Sequence, residues 1–208
     1  MSRRIETHSL AGPGGPIESL LEEPASAAPR FAALVCHPHP LYGGTLHNKV
    51  VYRIARALRG SGAVVLRFNF RKAGIPEAVE DARAALTWLR ARYPDLPYAL
   101  AGFSFGARVI TELACAEGAG ARFLLAVGFS PRLGDLHHLT ACTIPKTFIQ
   151  STHDQYAPRP EFESAYATFA GPKHLIWIES PDHFFAGALD TLESTVRSSS
   201  ACLCITPL

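Results

Sequence analysis

A serine stands between two glycines at residues 102–106, which read GFSFG and have the spacing G-x-S-x-G. The apolar run 98–101 before this segment is typical of a buried strand, and 107–116 after it is typical of a helix. A sharp strand-to-helix turn needs residues without a Cβ on both sides of the serine, because side chains there would strike neighbouring elements. The pattern predicts that Ser104 is a nucleophile above the carboxyl end of a strand. The alternative is a tight turn whose serine only caps the helix.

A serine hydroxyl is a weak nucleophile until a base takes its proton. When the serine stands on such a turn, the acid and then the histidine follow it along the chain. Five histidines follow Ser104: His137, His138, His153, His174 and His183. His183 comes after the strand-like run 175–178, at the edge where Ser104 is expected, whereas His174 precedes that run. We therefore predict His183 as the base, the alternative being a solvated loop histidine.

The acid that orients the histidine should follow an earlier strand at the same edge. Asp154 comes directly after the strand-like run 147–151. Asp135 follows the preceding strand only after several residues that include a proline, and Asp182 is too close to His183 in the chain to reach its Nδ1. We predict Asp154 as the group that orients the imidazole and stabilises its protonated form.

A negative charge on a substrate oxygen would need two backbone N–H donors. Phe105, directly after the serine, supplies one of them. The other is expected from the loop after strand 31–36, where Pro40 has no N–H, so we predict Leu41, with Tyr42 as the second choice.

The same loop contains His37 and His39, which alternate as metal ligands can. A metal site needs a third ligand and a supporting shell, and no residue at a suitable spacing supplies one. We predict no metal, and expect these histidines to fix the loop by hydrogen bonds, as His47 and Asn48 could also do.

Strand-like and helix-like segments alternate along the chain, the pattern of a parallel sheet with helices on both faces. The predicted strands are 3–9, 16–22, 31–36, 63–68, 97–103, 123–129, 147–150 and 175–178, and the predicted helices are 48–59, 77–92, 105–117, 160–170 and 186–197. The last six strands are apolar enough to be buried. No repeat or linker divides the chain, so we predict a single domain over 1–208, with a poorly packed tail over 198–208.

Composition excludes several classes of protein. The 208 residues carry a net charge of only +2, and the arginines are scattered, so no nucleic-acid partner is expected. No apolar run approaches the roughly 20 residues of a membrane span, and the start of the chain lacks the apolar core of a secretory signal. A soluble, cytoplasmic protein with no membrane partner is predicted.

The two N-terminal strands could leave an open sheet edge, so a monomer or a homodimer is compatible with the sequence.

The five cysteines are an odd number without the spacing of a zinc site or a disulfide framework. Cys36 and Cys115 lie in apolar runs and are predicted to be buried thiols.

Four segments together resemble a known family: 37–51, which contains HPHPLYGGT, 68–71 (FNFR), 102–106 and 182–185 (DHFF). They look like a group of small bacterial α/β-hydrolases, described only as predicted hydrolases, that are similar to dienelactone hydrolases and lidless carboxylesterases. The resemblance extends from about residue 5 to about residue 195. It implies an α/β-hydrolase fold with a doubly wound, mostly parallel sheet and no lid, Ser104, Asp154 and His183 as the triad, and no cofactor. Dienelactone hydrolases have cysteine at the turn, so that activity is not implied.

The chain departs from this family in two places. Such proteins usually carry a longer Gly-rich loop after the FNFR segment, whereas here 72–76 leads straight into a helix, which would open one wall of the site. The cysteine-containing tail also differs from the usual end of the last helix.

The sequence therefore predicts a serine carboxylesterase that cleaves small-molecule, short-acyl esters through an acyl-enzyme. Tyr42, Tyr156 and Phe184 could line an apolar pocket, although each could equally be a core residue. Two alternatives stay open: a thioesterase, amide or lactone hydrolase with the same triad, or a non-catalytic binding protein on the same scaffold.

Overall fold

The computed structural model describes residues 5–24, 28–116 and 120–200. The chain forms, in order, β1 (Ile5–Gly12), β2 (Gly15–Glu22), β3 (Phe31–Cys36), α1 (Lys49–Gly60), β4 (Ala63–Phe68), α2 (Ile75–Arg92), β5 (Tyr98–Phe103), α3 (Phe105–Thr111), β6 (Phe123–Val127), α4 (His137–Thr140), β7 (Lys146–Ser151), α5 (Arg159–Thr168), β8 (Lys173–Ile178) and α6 (Leu189–Ser200). A short 3-10 turn spans Pro40–Tyr42 and a π-helical turn spans Glu112–Ala116.

The strands form one sheet in the order β1-β2-β4-β3-β5-β6-β7-β8. Strands β3 to β8 run parallel, and the β1–β2 hairpin joins the edge of β4 in antiparallel pairing. Because the strand order reverses direction at β3, successive crossovers place helices on both faces. The predicted doubly wound, mostly parallel sheet is confirmed.

Alternating side chains divide the core between the two faces of the sheet. On β3, Leu34 packs in the cluster that contains residues of α2 and α3, whereas Val35 packs in the cluster with residues of α1 and α6. Both side chains are fully buried, and burying one of this size stabilises the fold by about 1.5–3 kcal/mol. The continuous apolar strands seen in the sequence thus fill both faces at once.

Several element predictions differ from the structure. Strand β8 is the sheet edge and is mostly half-exposed, so it is not a buried strand, because no further strand within the described residues covers its outer side. The predicted helix 105–117 changes to a π-helical turn at Glu112, and its residue 117 lies outside the described residues. The short α4 was not predicted.

The two predicted chain ends are described only in part. Residues 198–200 continue α6 instead of starting a tail, and Ser200 is buried with its hydroxyl donating to Ser61 Oγ at 2.8 Å. Residues 201–208 of the predicted tail, and residues 3 and 4 of the predicted first strand, lie outside the described residues.

One of the two cysteine predictions is wrong. Cys36 is a buried, unbridged thiol as predicted, but Cys115 forms a disulfide with Cys142. The two residues are 27 positions apart, and they meet because the chain returns through β6 and α4 to the end of the π-helical turn. Disulfides are rare in reducing compartments, so this bridge and the predicted cytoplasmic location point in different directions.

The shortened loop after β4 is held by one buried carboxylate. Asp81 on α2 is fully buried and accepts hydrogen bonds from the Arg71 backbone N–H at 2.9 Å and from its Nε at 2.8 Å. The Arg71 Nη2 also donates to Asp81 Oδ1, and these three bonds compensate the burial of the charge. The loop is therefore short and held in place by the first turns of α2.

Among residues 5–24, 28–116 and 120–200, none of the helices has both the length and the apolar character needed to cross a bilayer.

We expect reduction of the Cys115–Cys142 disulfide to lower the free energy of unfolding by about 3–4 kcal/mol, since the cross-link restricts the unfolded chain. Urea denaturation with and without dithiothreitol measures the difference. The Cys115→Ser/Cys142→Ser double variant is the control, because it should have the lower stability in both conditions. Equal stability of the wild type with and without reductant would contradict the bridge.

Candidate active site

Ser104 lies at the strained turn between β5 and α3. Its φ is 55° and its ψ is −116°, a conformation that non-glycine residues rarely adopt. The Ser104 N–H donates to the carbonyl of Val127 on the neighbouring strand at 2.8 Å, which helps hold the strained residue in place. A Cβ added at Gly106 would lie 2.4 Å from the carbonyl oxygen of Cys36. The glycine spacing of the motif thus reflects the close approach of α3 to β3.

His183 and Asp154 form a buried pair. His183 Nδ1 is 2.6 Å from Asp154 Oδ2, and the two side chains are 3% and 0% exposed. A carboxylate can only accept, so Nδ1 carries the proton and Nε2 carries the lone pair. The imidazole is therefore in the tautomer that can take a proton at Nε2.

The second oxygen of the carboxylate is bound as well. Asp154 Oδ1 accepts the backbone N–H of Tyr156 at 2.8 Å and that of Ala157 at 3.1 Å. These two bonds fix the orientation of the carboxylate. Gln155 Oε1 accepts the His183 backbone N–H at 3.1 Å, so the two loops that carry the pair are also joined directly.

Three aromatic rings surround the imidazole of His183. Phe103 stacks on it with ring centroids 4.9 Å apart, whereas Tyr156 and Phe184 meet it nearly edge-on at 5.0 Å and 5.3 Å. Tyr156 is 52% exposed and Phe184 is half-buried, so both reach the surface beside the pair. Of the predicted pocket residues, these two are therefore in direct contact with His183.

Gly128, directly after β6, lies between the Ser104 turn and the His183–Asp154 pair. Its φ is 56°, and a Cβ there would lie 2.9 Å from Phe103 Cε2 and 3.0 Å from His183 Cε1. Since Val127, the residue before it, accepts the Ser104 N–H, the serine turn and the imidazole approach each other across this glycine. The structure thus brings Ser104, His183 and Asp154 to one edge of the sheet, at the carboxyl ends of β5, β8 and β7.

The alternative acids have other partners. Asp135 Oδ1 accepts the His137 N–H at 2.9 Å at the start of α4. Asp182 Oδ1 accepts the backbone N–H groups of Phe184 and Ala186 at 2.9 Å and 3.0 Å, and so shapes the turn after His183.

The alternative histidines lie elsewhere. His138 contacts Arg108 and Glu112 on α3 and the π-helical turn, where burial and the nearby guanidinium lower its pKa to about 4. His137 and His174 are exposed, and His153 lies beside the exposed Glu179.

The loop after β3 presents its apolar side chains to solvent. Leu41 is 78% exposed and Tyr42 is 88% exposed, both on the 3-10 turn. The Tyr42 N–H donates to the His39 carbonyl at 3.1 Å, which makes Tyr42 a poorer donor to a ligand than Leu41. The His39 ring lies against Phe105 and Tyr42, with centroids 4.8 Å and 4.9 Å away. Its Nδ1 is buried and has no hydrogen-bond partner in the part of the chain that the structure describes, and burial lowers its pKa.

His37 fixes this loop, as the sequence predicted. Its Nε2 accepts the backbone N–H of Phe70 at 2.9 Å, and its Nδ1 donates to the Pro38 carbonyl at 2.6 Å. Both ring nitrogens are therefore occupied, and the residue ties the loop after β3 to the loop after β4. Burial lowers the pKa of His37 to about 4. Asn48 caps α1 by accepting the Val50 N–H at 2.9 Å.

Sequence reasoning missed three residues that support the pair. Besides Gly128, the buried Gln150 amide accepts the Phe129 N–H and donates to the Phe129 carbonyl, both at 2.8 Å. Ser130 Oγ donates to the Tyr156 carbonyl at 2.7 Å. Gly128 could have been found as a glycine directly after an apolar strand, and Gln150 as a polar residue inside one. No local pattern in the sequence marks Ser130.

A family model described as an alpha/beta hydrolase domain matches residues 42–198. The chain is 34% identical to an uncharacterized protein of Rickettsia prowazekii, with 84% of this chain and 79% of that protein covered. It is similar to the solved structure of an α/β serine hydrolase without a lid from Xanthomonas campestris, at 29% identity and a TM-score of 0.89 over 100% of this chain and 99% of that one. An α/β serine hydrolase homologue from Coxiella burnetii follows at 28% identity and a TM-score of 0.85, over 93% and 96% of the two chains. These matches confirm the resemblance found in the sequence.

The burial of neutral His37 predicts a pH dependence of stability. Its pKa is about 4 in the folded chain against 6.5 as the reference, so between these values the unfolded chain binds a proton that the folded chain does not. The free energy of unfolding should therefore fall as the pH drops from 6.5 to 4, and this histidine contributes at most about 1.4 kcal/mol per pH unit. Urea denaturation over this range gives the slope of the unfolding free energy against pH. In His37→Gln this slope should be smaller than in the wild type by the equivalent of about one proton. His47→Gln, at an exposed histidine, is the control, and equal slopes for the wild type and His37→Gln would refute the assignment.

Proposed function

The chain belongs to the α/β-hydrolase family, and on that premise we propose that it is a serine carboxylesterase that cleaves small, short-acyl esters. The observation that carries the proposal is the buried hydrogen bond between His183 and Asp154, which leaves Nε2 as the basic nitrogen. Such a base, at the same sheet edge as a serine in a strained, partly exposed turn, belongs to the arrangement that activates a hydroxyl for nucleophilic attack.

The first half of the reaction transfers the acyl group to the enzyme. Ser104 Oγ attacks the ester carbonyl carbon while His183 Nε2 takes the hydroxyl proton. The carbonyl oxygen becomes an oxyanion that accepts hydrogen bonds from the backbone N–H groups of Phe105 and Leu41. When the tetrahedral intermediate collapses, the bond to the alkoxide breaks, and the alkoxide leaves as the alcohol with the proton from His183.

The second half returns the enzyme to its starting state. Water attacks the acyl-enzyme carbonyl and gives a proton to His183 Nε2. The second intermediate collapses by breaking its bond to Ser104 Oγ, which recovers the proton as the carboxylic acid leaves. The reaction consumes the small-molecule ester and one water molecule, and it uses no cofactor.

Asp154 stabilises the protonated imidazole of His183 in its buried position. An isolated buried cation is strongly disfavoured, whereas one hydrogen-bonded to a carboxylate keeps a compensating charge. The same hydrogen bond fixes the tautomer and the ring plane of His183.

The open mouth of the site supports short acyl groups over long lipid chains. Between β6 and β7, where a lid would insert, only the four-residue α4 and its loops are present. Tyr42, Tyr156 and Phe184 offer apolar contact at the rim, but they do not enclose a long chain.

Turnover should depend on the hydroxyl of Ser104. Ser104→Ala should lower turnover of p-nitrophenyl butyrate by about 10⁵–10⁶, or to background, because the serine, base and acid act as a unit. Ser194→Ala, at an exposed serine on α6, is the matched control and should retain wild-type turnover. Equal activity of Ser104→Ala and the wild type would identify another nucleophile.

A series of p-nitrophenyl esters from acetate to palmitate tests the acyl preference. We expect kcat/KM to be highest for acetate or butyrate, because no lid supplies additional apolar contact for a longer chain. A higher value for palmitate would contradict the short-acyl assignment.

Gly128→Ala tests the support of the base. The new methyl group would strike Phe103 and His183, and a displacement of about 1 Å can cost about 10²-fold in rate, so we expect a fall in kcat of that order. Gly134→Ala is the control in the same loop: its φ of 96° is also positive and strains a residue with a side chain, but a Cβ there meets no described residue within 4 Å. If kcat falls equally in both variants, backbone strain and not the contact with His183 is responsible for the fall. If kcat falls in neither, Gly128 does not support the base.

A further inference from the structure

Two sets of aromatic rings flank Ser104 on opposite sides of the sheet. Phe103, the residue before it, stacks on His183 and packs in the core cluster with α1 and α6. Phe105, the residue after it, meets the ring of His39 and packs in the cluster with α2 and α3. A substrate on Ser104 therefore has a His183 side and a His39 side.

The rings on the His183 side are Tyr156 and Phe184, and both stand on fixed backbone. The N–H of Tyr156 is held by Asp154 Oδ1 and its carbonyl by Ser130 Oγ, at 2.8 Å and 2.7 Å. The N–H of Phe184 is held by Asp182 Oδ1 at 2.9 Å. An aromatic side chain that is 52% exposed on such an anchored segment is a preformed contact surface, because little ordering is required when a ligand binds.

The chemistry of the proposed function, on which this inference rests, decides which part of the ester lies on that side. The proton that His183 Nε2 takes from Ser104 is passed to the leaving alkoxide. The alcohol oxygen must therefore come within hydrogen-bond reach of Nε2. Beyond that oxygen, the alcohol part extends towards the rings that surround the imidazole, not towards His39 and Tyr42.

We propose that Tyr156 and Phe184 form a subsite for the alcohol part of the substrate, and that the preferred substrates are esters of alcohols that carry an aromatic ring. Both rings meet the imidazole nearly edge-on, at 73° and 82° to its plane. Tyr156 is 52% exposed and Phe184 is half-buried, so part of each ring remains accessible for the edge-to-face or offset contacts that aromatic pairs favour. A saturated ring of the same size would gain the buried area but not this additional attraction.

The test compares benzyl acetate with cyclohexylmethyl acetate, which share the acyl group, differ little in size, and both release an unactivated primary alcohol. In the wild type, kcat/KM should be roughly threefold to tenfold higher for benzyl acetate, the factor expected from aromatic pairing. In Tyr156→Leu and Phe184→Leu the ratio of the two values should fall towards one, since leucine keeps apolar bulk without the ring. Tyr42→Leu is the matched control: it removes an exposed tyrosine on the His39 side and should keep the wild-type ratio.

The ratio separates this inference from the proposed function. Ser104-dependent hydrolysis of both esters with a wild-type ratio of one or below would overturn the aromatic subsite and leave the esterase standing. An unchanged ratio in both Tyr156→Leu and Phe184→Leu, or loss of the preference in Tyr42→Leu, would place the alcohol elsewhere and overturn it too. Absence of Ser104-dependent hydrolysis of these and the p-nitrophenyl esters would overturn the proposed function itself.

Discussion

The site depends on one buried hydrogen bond, between His183 Nδ1 and Asp154 Oδ2. A carboxylate and an imidazole cannot be removed from water unless their remaining polar atoms find partners. The surrounding loops supply these partners: two backbone N–H groups bind the second oxygen of Asp154, and the Gln150 amide holds the backbone beside Gly128, on which His183 packs. The pair is therefore fixed before any ligand arrives, which is what the general base that we propose requires.

The parallel sheet explains why these groups can meet although they are distant in the chain. The carboxyl ends of β5, β7 and β8 lie at one edge, so the serine, the acid and the histidine each follow a strand there. The strain at Ser104 is supported by the same strands, through the bond from its N–H to Val127. Aromatic rings lie on both sides of Ser104, and only the four-residue α4 and its loops lie between β6 and β7. In our proposal these features leave the serine open to a small ligand and place the alcohol part of that ligand on the His183 side.

The sequence was most informative where a local pattern has one structural solution. The GFSFG turn, the alternation of strands and helices, and the positions of Asp154 and His183 directly after strands predicted the sheet and the pairing of those two residues. Contacts between distant segments were not predictable: Cys115 and Cys142 show no relation in spacing, and the support from Gly128, Gln150 and Ser130 exists only once the strands are side by side. The exposure of β8 was missed because an apolar run does not reveal whether another strand covers it. The tautomer of His37 depends likewise on Phe70, a residue far along the chain.

Labelling with a fluorophosphonate, followed by peptide mass mapping, tests whether His183 activates Ser104. This probe reacts rapidly with a serine whose proton is taken by a base. We expect one phosphonate per chain, on the peptide that contains Ser104, with labelling of the His183→Ala variant slowed by several orders of magnitude and that of His153→Ala unchanged. A wild type that remains unlabelled, or a label on any other residue, would contradict a catalytic Ser104–His183–Asp154 triad.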